Sequence, residues 1–499
     1  MNRDLLSRDL FGNDAGEDEN KERLNDYYFY KNDLSPFLDK DNNLQFVRAR
    51  KGMGKSALIN YMSYSMKNDK DILITLKASE LLDIQDLESS NPLTSISNWK
   101  RRICSRINME IAKTIKFAAS DNKITLVETA ELTGFRDQNL FSALFDRFKL
   151  KIGPIDSSIT KKQIQNSQEH LARFADNGKK DIWIFIDDID ATFQNLEESK
   201  LLVSTFFTAC RDLVNEVNGL FIRASVRTDV WSIIKSFDES LDKCEQYMLD
   251  LYWSVEDTGM ILCRKLLSYY RKYYPSELLY KGLDPVQNQS EILGFVLQKT
   301  FKWGIKKTIP TYYAIHHLCA GRPRWAVQLC RIAAKKAGES QNKVITPIDL
   351  NYAITELGKS RISDLHKEHG HQCSDIRYLL EIFRKKEFLY TTPELLNVIR
   401  ENVIDRNRNI IIDGIKDNVD ELDLAHFLFR IGFITLKDNN YESGKKFIQF
   451  HDSPDLLTEG NVHADDIWTI HPIYRNALCL RNNSKQNQQN SSRLSMAIN

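Results

Sequence analysis

The sequence predicts an α/β domain built on a parallel sheet, followed by a helical region and a small C-terminal domain. Three observations lead to this fold class. Short apolar runs alternate with helical patterns over residues 41–253. One of these runs, residues 181–187, is apolar almost throughout, as in a strand that is buried on both faces of a parallel sheet. From about residue 254 the pattern becomes helical, and the 499 residues allow about three domains.

The expected elements of the α/β domain follow one another along the chain. Residues 1–40 form a lead-in segment that is first acidic and then aromatic. Strands are predicted at residues 44–47, 71–76, 181–187 and 219–226, and helices at residues 56–66 and 197–217. A helical insertion is predicted at about residues 78–180, with helices near residues 94–117, 137–151 and 158–176.

The second half of the sequence carries its own start and stop signals. Ser254 and Asp257 have the spacing of a capping box, so a helical region is predicted to begin there and to continue to about residue 360. The polar residues 361–373 are predicted to be a linker. Residues 374–480 have the pattern of three helices, a strand, a turn and a strand, and the Asn/Gln/Ser-rich residues 481–499 are predicted to be disordered.

Composition excludes several classes of protein. Lys and Arg number 69 and Asp and Glu number 68, so the chain is not basic overall, although a local basic patch is still possible. No apolar run approaches the ~18 residues of a membrane span, and the N-terminus lacks the apolar core of a signal peptide. The eight cysteines include no Cys-x-x-Cys pair. We therefore expect a cytoplasmic protein that does not contact a membrane.

The strongest functional motif is the segment from Ala49 to Ser56, which lies between a predicted strand and a predicted helix. Its glycines allow backbone N–H groups to point at phosphate oxygens, and the helix N-terminus adds partial positive charge. Lys55 is expected to reach the β- and γ-phosphates, and the Ser56 hydroxyl to bind Mg²⁺. Ala49 replaces the usual first glycine, and an alanine fits there if its φ is negative. The predicted nucleotide-binding residues are Lys51, Gly52, Met53, Gly54, Lys55, Ser56 and Ala57.

A second motif is the apolar run that ends in Asp187 and Asp188. By itself it is equally well explained as a buried strand that ends in an acidic turn. Together with the phosphate loop it predicts a Walker B strand, in which Asp187 holds Mg²⁺ through water and Asp188 acts as the general base. Asp190 is expected to cap the following turn. No Asn-Lys-x-Asp guanine signature follows, so ATP is the predicted nucleotide.

Three arginines are candidates for sensing the γ-phosphate. Arg227 lies at the tip of the strand after the acidic motif, and its alternative role is an ion pair with an acid at the surface. Arg322 and Arg324 lie in Gly321-Arg-Pro-Arg at the start of a helix, from which an arginine can reach back to a nucleotide. Their alternative role is that of solvated side chains at an ordinary helix start.

Three further groups of residues have a simpler explanation. The histidines around residues 366–371 and Cys373 are metal-ligating types, but their spacing is not a known ligand pattern. The basic helix at residues 99–117 is a candidate for nucleic acid, although a solvated helix face is the favoured explanation. The helix near residues 417–431 carries acids where a DNA-reading helix needs cations. Those acids are Asp417, Asp420, Glu421 and Asp423.

Several motifs together resemble bacterial P-loop ATPases related to STAND and origin-recognition-type AAA+ proteins, a group often encoded beside antiphage-defence genes. The resemblance covers roughly residues 25–480. It implies an α/β P-loop NTPase core at residues 41–253, a helical lid at 254–360 and a C-terminal winged-helix domain at 374–480. The motifs that carry it are the Gly-x-Gly-Lys-Ser-Ala-Leu loop, Asp187-Asp188-Ile-Asp190, Arg227-Thr-Asp229, Trp253-Ser254, Gly321-Arg-Pro-Arg324 and Trp468-Thr-Ile-His471-Pro472.

The resemblance implies an ATPase that hydrolyses ATP slowly with Mg²⁺ and acts as a switch. We expect it to form homo-oligomers or to activate a separate effector protein, in bacterial antiviral defence, because the sequence shows no second catalytic centre. Arg48, Arg50 and Arg264 are possible donors of an arginine to a neighbouring subunit. One alternative is a DNA-engaging ATPase of the origin-recognition type. Another is a non-hydrolysing scaffold that a nucleotide stabilises.

Overall fold

The computed structural model shows two compact units. One is Ala15–Tyr252, and the other is Met1–Asp14 together with Trp253–Asn499, so the predicted lead-in segment is divided between them. The predicted helix at 137–151, most of that at 158–176 and nearly all of the tail lie outside the described residues. The structure describes residues 5–67, 71–82, 91–115, 168, 171–172, 175, 181–303, 307–373, 375–413, 415, 419–438 and 446–481.

A parallel five-stranded sheet forms the centre of the unit Ala15–Tyr252. Its strand order is β2-β3-β4-β1-β5. All six residues of β3 are buried, which confirms the expectation of a strand covered on both faces. Only β5 was not predicted, because three residues give too little pattern. The strands are β1 Leu44–Ala49, β2 Ile72–Lys77, β3 Ile182–Asp187, β4 Leu220–Arg227 and β5 Met248–Asp250.

Helices pack on this sheet and complete the core of the unit. The two longest are held together by polar contacts, since Trp99 Nε1 donates to the Leu202 carbonyl at 2.7 Å and the Ser95 and Thr205 hydroxyls are 2.8 Å apart. This arrangement is the α/β P-loop core that the sequence predicted. The helices are α1 Lys21–Tyr27, α2 Lys55–Ser65, α3 Ala78–Leu82, α4 Pro92–Ile115, α5 Glu197–Glu216, α6 Thr228–Phe237 and α7 Asp242–Glu245.

The second unit begins with the helical region. The predicted capping box is present: the Ser254 hydroxyl accepts from the Asp257 amide at 3.1 Å, and the Asp257 carboxylate accepts from the Ser254 amide at 2.9 Å. The helices are α8 Val255–Tyr273, α9 Leu278–Gly282, α10 Gln289–Gly294, α11 Thr311–Leu318, α12 Pro323–Glu339 and α13 Pro347–His369, and the hairpin β6 Thr300–Trp303 with β7 Lys307–Pro310 lies between α10 and α11.

The predicted linker at residues 361–373 is wrong over most of its length, because α13 continues to His369. Two contacts explain why a polar sequence remains helical there. Leu365 is buried in the core of the unit. Arg361 pairs with Asp364 across one helical turn at 2.8 Å. Most polar residues of this stretch lie on the exposed face of the helix. The linker was predicted from these residues, whereas the helix is held by its buried face.

The C-terminal part has the helices and the antiparallel sheet of a winged helix, as the fold class predicted. Its four-stranded sheet has the order β10-β9-β11-β8. The sequence predicted two strands in this part, and the sheet has four, each of only three to five residues. The elements are α14 Ile376–Glu381, β8 Leu389–Thr391, α15 Thr392–Ile399, a π-helical turn Arg400–Ile404, α16 Glu421–Arg430, β9 Ile434–Asp438, β10 Lys446–Ile448, β11 Ile467–Ile470 and α17 Pro472–Arg475.

None of the helices in the described part of the chain combines the length and the apolar character that a membrane crossing requires.

Candidate functional site

The functional residues predicted in the α/β unit meet at one edge of its sheet. Strands β1, β3 and β4 are parallel, so their carboxyl ends lie together. In register, Ala49 at the end of β1 pairs with Arg227 at the end of β4, and Lys77 at the end of β2 pairs with Asp187 at the end of β3. The loop after β1, the acids after β3 and the arginine after β4 are thereby brought to a single site.

The loop after β1 has the backbone that phosphate binding requires. Gly52 and Gly54 have φ values of 82° and 96°, a left-handed region that favours glycine. Helix α2 begins at Lys55 directly after them, and the Gly54 carbonyl accepts from the Leu58 amide at 2.9 Å. Ala49 ends β1 in an extended conformation and is buried, so the alanine at the first position of the motif is accommodated without a positive φ.

The ammonium group of Lys55 lies close to the start of the glycine loop that follows β1. Nζ donates to the carbonyl of Ala49 at 3.2 Å. Burial lowers the pKa of Lys55, while the carboxylates of Asp190 and Asp187 act in the opposite direction. A partly desolvated cation beside two acids and a helix N-terminus is a strong site for a polyphosphate.

Asp187 is buried at the end of β3, and the hydroxyl of Ser225 donates to its carboxylate. Sequence reasoning missed Ser225. The available signal was its place on the strand beside the acidic motif, two residues before Arg227. The Ser56 hydroxyl and the Asp187 carboxylate are oxygen donors of the kind that Mg²⁺ prefers. The described ranges contain no group of three or more His, Cys, Asp or Glu side chains that could hold a metal ion.

Asp188 differs from its neighbour in both backbone and exposure. Its φ is 59°, which is unusual for a residue with a side chain, and its side chain is exposed. Partial desolvation raises the pKa of Asp188, and the charge of Asp187 raises it further. The charge of Glu17, in the short helical turn Gly16–Asp18, acts in the same direction, and sequence reasoning missed this acid. A carboxylate with a raised pKa is a better proton acceptor than one with its ordinary pKa.

Asp190 and Arg227 are joined across the site. The Asp190 carboxylate accepts from the Arg227 amide at 3.1 Å and lies 3.7 Å from its Nε. Burial raises the pKa of Asp190 to about 6. We expected Asp190 to cap the turn that follows Asp190 in the sequence. Its carboxylate instead accepts from the amide at the end of β4, so that expectation is wrong. The Arg227 guanidinium also pairs with Asp229, with Nε 3.1 Å from Oδ1, so the ion-pair alternative is present and a sensor role stays a prediction.

Arg322 and Arg324 belong to the other unit. Arg322 precedes α12, and its guanidinium lies 4.2 Å from the ring centroid of Trp325. Arg324 Nε donates to the carbonyl of Asp14 at 3.4 Å. The two arginines thus have partners within their own unit, and their action on a nucleotide stays a prediction.

Two basic residues of α4 and one candidate for contact between subunits are paired with acids. Lys100 pairs with Glu216 at 2.6 Å, and Arg106 pairs with Glu80 at 2.5 Å and with Glu110 at 3.0 Å. Arg48, a candidate for donation to a neighbouring subunit, is held by Asp250 at 2.6 and 2.9 Å and by Glu245 at 2.7 Å. These contacts weaken both the nucleic-acid explanation of the α4 surface and the role of Arg48 between subunits.

The histidine-rich stretch shows no metal centre. His366 and His369 lie in the last turn of α13, and Cys373 is buried in the core of its unit. Among the described residues, no group of three or more metal-ligating side chains includes them. Their positions, in a helix and in the core, fit the structural explanation of the stretch.

Comparisons with known proteins found distant relatives only. No family model matches the chain. The putative transposon gamma-delta 80.3 kDa protein of Escherichia coli strain K12 is 21% identical over 500 residues, which cover 95% of this chain and 67% of that protein.

Solved structures of origin-recognition proteins align with most of the chain at low similarity. Cdc6p from Pyrobaculum aerophilum is 11% identical, covers 92% of this chain and 91% of its own, and has a TM-score of 0.33. ORC1 of Aeropyrum pernix in complex with DNA is 13% identical, covers 92% and 90%, and has a TM-score of 0.31. Drosophila ORC bound to DNA is 12% identical, covers 91% and 90%, and has a TM-score of 0.32.

Proposed function

We propose that the protein binds and slowly hydrolyses ATP with Mg²⁺ and works as a nucleotide-driven switch that assembles with copies of itself or activates a separate effector. One observation carries the proposal. The glycine loop after β1, with Lys55 at its mouth, and the acids Asp187 and Asp188 after β3 lie at the same edge of one parallel sheet. This is the set of groups that phosphoryl transfer requires.

Each residue then has a defined task. Backbone N–H groups of the loop and of the first turn of α2 hold the phosphates, and Lys55 neutralises their charge. Ser56 and Asp187 would hold Mg²⁺, which compensates the phosphate charge when it is bound. The Ser225 hydroxyl fixes the carboxylate of Asp187. Asp188 accepts a proton from the attacking water at its exposed carboxylate.

Replacing Lys55 tests nucleotide binding directly. Lys55→Ala is expected to weaken the binding of Mg·ATP by about 100-fold or more, because it leaves the phosphate charge uncompensated in a partly desolvated site. The measurement is titration calorimetry on the full chain. Lys67→Ala is the control, since it removes an exposed lysine that lies beyond the end of α2 and outside the phosphate loop, and it is expected to change affinity by less than about fivefold. Equal affinities of Lys55→Ala and the unchanged chain would overturn the assignment of the loop.

A DNA-engaging ATPase is the second candidate. It is supported by the similarity of nearly the whole chain to a putative transposon protein of Escherichia coli. The neutralised basic residues of α4 and the acids of α16 speak against it. Cytoplasmic location and a role in antiviral defence remain part of the proposal. A non-hydrolysing scaffold is the third candidate, and release of ADP from bound ATP would exclude it.

A further inference from the structure

We propose that Asp190 is a positioning residue of the reaction site: it holds Arg227 at the end of β4, so that the arginine acts on the γ-phosphate of bound ATP. The inference rests on the proposed function, because it concerns the same reaction. The proposed function gives Asp190 no task, although this acid is the most deeply buried carboxylate of the acidic motif. Its task follows from its contacts with Arg227.

The chain after β3 folds back, so that Asp190 reaches the end of the neighbouring strand β4. Asp188 has a left-handed φ of 59°, and the Ala191 amide donates to the Asp188 carbonyl at 3.0 Å. The Phe193 amide then donates to the carbonyl of Asp190 at 3.2 Å. These two turns fix the backbone on both sides of Asp190, and the residue is only 2% exposed. The position of its carboxylate is therefore set by the fold.

Asp190 contacts Arg227 at two points. Its carboxylate accepts from the Arg227 amide at 3.1 Å and lies 3.7 Å from the side-chain Nε. Arg227 is the last residue of β4, and helix α6 begins at the next residue, so the backbone passes directly from a strand into a helix. The amide nitrogen and Cβ are both bonded to the same Cα atom. An acid that fixes the amide therefore also fixes the point from which the arginine side chain starts.

A second acid, Asp229 in the first turn of α6, also holds the guanidinium. Its carboxylate accepts from Arg227 Nε at 3.1 Å. The two acids differ in exposure, because the side chain of Asp229 is 33% exposed and that of Asp190 is 3% exposed. Water or a phosphate oxygen can take the place of an exposed carboxylate, whereas leaving a buried carboxylate without its cation costs much more. Asp190 is thus the acid that Arg227 keeps when a phosphate binds.

Lys55 is the other cation whose charge acts on Asp190. Its ammonium group, however, donates to the carbonyl of Ala49 at 3.2 Å. Ala49 pairs in register with Arg227, so the two cations lie at the same end of the neighbouring strands β1 and β4. The hydrogen bond and the ion contact of Asp190 are with Arg227, which favours the arginine as the residue through which it acts. An effect through Lys55 would also reach the β-phosphate, and hence ADP.

Removing the charge of Asp190 while keeping its shape tests this assignment. Asp190→Asn retains an oxygen that can accept from the Arg227 amide, but it loses the charge that attracts the guanidinium. Burial raises the pKa of Asp190 to about 6, so ionisation is disfavoured in the folded state, and the neutral amide is not expected to lower the free energy of unfolding. In the full chain, the turnover of Mg·ATP is expected to fall about tenfold or more, while the affinity for Mg·ADP stays within about twofold.

A double-mutant cycle shows whether the effect passes through Arg227. Arg227→Met removes the guanidinium and is itself expected to lower turnover. In that background, Asp190→Asn is expected to change turnover by less than about twofold, because the cation that it holds is gone. Asp181→Asn is the matched control. It changes an acid directly before β3, at the other end of the same strand, where Asp181 pairs with Lys40 at 2.7 Å, and it is expected to keep turnover within about twofold.

The outcomes separate this inference from the proposed function. If the unchanged chain does not hydrolyse Mg·ATP, both are wrong. Normal turnover by Asp190→Asn, or a loss of the same size with and without Arg227, would overturn the positioning role and leave the ATPase proposal standing. A parallel loss of affinity for Mg·ADP would assign the effect to Lys55. A lower free energy of unfolding for Asp190→Asn than for the Asp181→Asn control would show that Asp190 serves stability instead.

Discussion

At the scale of single residues, the site shows how one short acidic motif supplies three different carboxylates. Asp187 is buried and bound by a hydroxyl, Asp188 is exposed with a left-handed backbone, and Asp190 is buried against the amide of Arg227. Their sequence neighbours are almost the same, and only the surrounding structure separates their tasks. The roles predicted for Asp187 and Asp188 stay predictions, whereas the prediction that Asp190 caps the turn after it is wrong.

The difference between Asp187 and Asp188 leads to a test. Asp188→Asn is expected to bind Mg·ATP with nearly unchanged affinity but to lose about 10²- to 10⁴-fold in turnover, because activating water requires the carboxylate. Asp187→Asn, its neighbour of identical size, is expected to require more Mg²⁺ for the same binding. Steady-state hydrolysis and calorimetry at several Mg²⁺ concentrations distinguish the two.

Normal turnover by Asp188→Asn would assign the base to another group. Glu17 is then the next candidate, because its charge acts on Asp188.

At the scale of single elements, β4 depends on a buried cation. Arg223 is fully buried, and its guanidinium donates to the carbonyls of Phe37, Asp39, Asn42, Asn43 and Ile222 at 2.6–3.2 Å. It also lies 4.7 Å from the ring centroid of Trp183. Burial lowers the pKa of Arg223 to about 9, so the group is still charged at neutral pH. It fixes the turn that leads into β1, the strand that carries the phosphate loop.

Removing this cation is expected to destabilise the α/β unit. Arg223→Met keeps much of the volume but leaves several buried carbonyls without a donor, which is expected to cost about 3–5 kcal/mol of unfolding free energy. Arg211→Met, on the partly exposed side of α5, is the control and is expected to cost less than about 1 kcal/mol. Urea unfolding followed by tryptophan fluorescence measures both. Similar losses for the two variants would show that the carbonyls find other donors.

The acidic residues at the start of α16 are explained largely by their role in capping that helix. Asp420 accepts from the amides of Leu422 and Asp423 at 2.8 Å, and the Asp423 carboxylate accepts back from Asp420 at 3.2 Å. Glu421 pairs with Arg400. Asp417 lies outside the described residues. Acids at a helix N-terminus are stabilising in themselves, so their presence does not point to a protein partner, although it still disfavours a phosphate backbone.

At the scale of the whole molecule, the described parts of the chain contain one candidate reaction centre, in the α/β unit. Under the proposed function, the output of this site is a change of shape or of contacts. We expect the native mass of the protein to increase with Mg·ATP and to stay that of the monomer in Lys55→Ala, as measured by light scattering. We also expect no binding of duplex DNA at about 0.15 M salt. A chain that is monomeric with every nucleotide, or that binds duplex DNA in a salt-dependent way, would favour the DNA-engaging candidate.

The sequence by itself determined the features that depend on local spacing. Apolar runs defined four of the five strands of the sheet, and the glycines around Lys55 defined the phosphate loop, because a left-handed φ and a buried strand leave direct marks on residue type. The capping box at Ser254 is of the same kind. Each of these features depends only on residues that are close together in the sequence.

Only the tertiary structure decided which distant side chains meet. Several hydrogen bonds join residues that are far apart in the chain, and no local pattern encodes such pairs. They are the bonds between Ser225 and Asp187, between Arg48 and Asp250, and between Arg324 and Asp14. The same reason explains why α13 passes through a stretch that the sequence presents as a linker: the buried Leu365 is a single residue, and its packing partners come from elsewhere in the fold. Long-range packing assigns the roles that local chemistry leaves open.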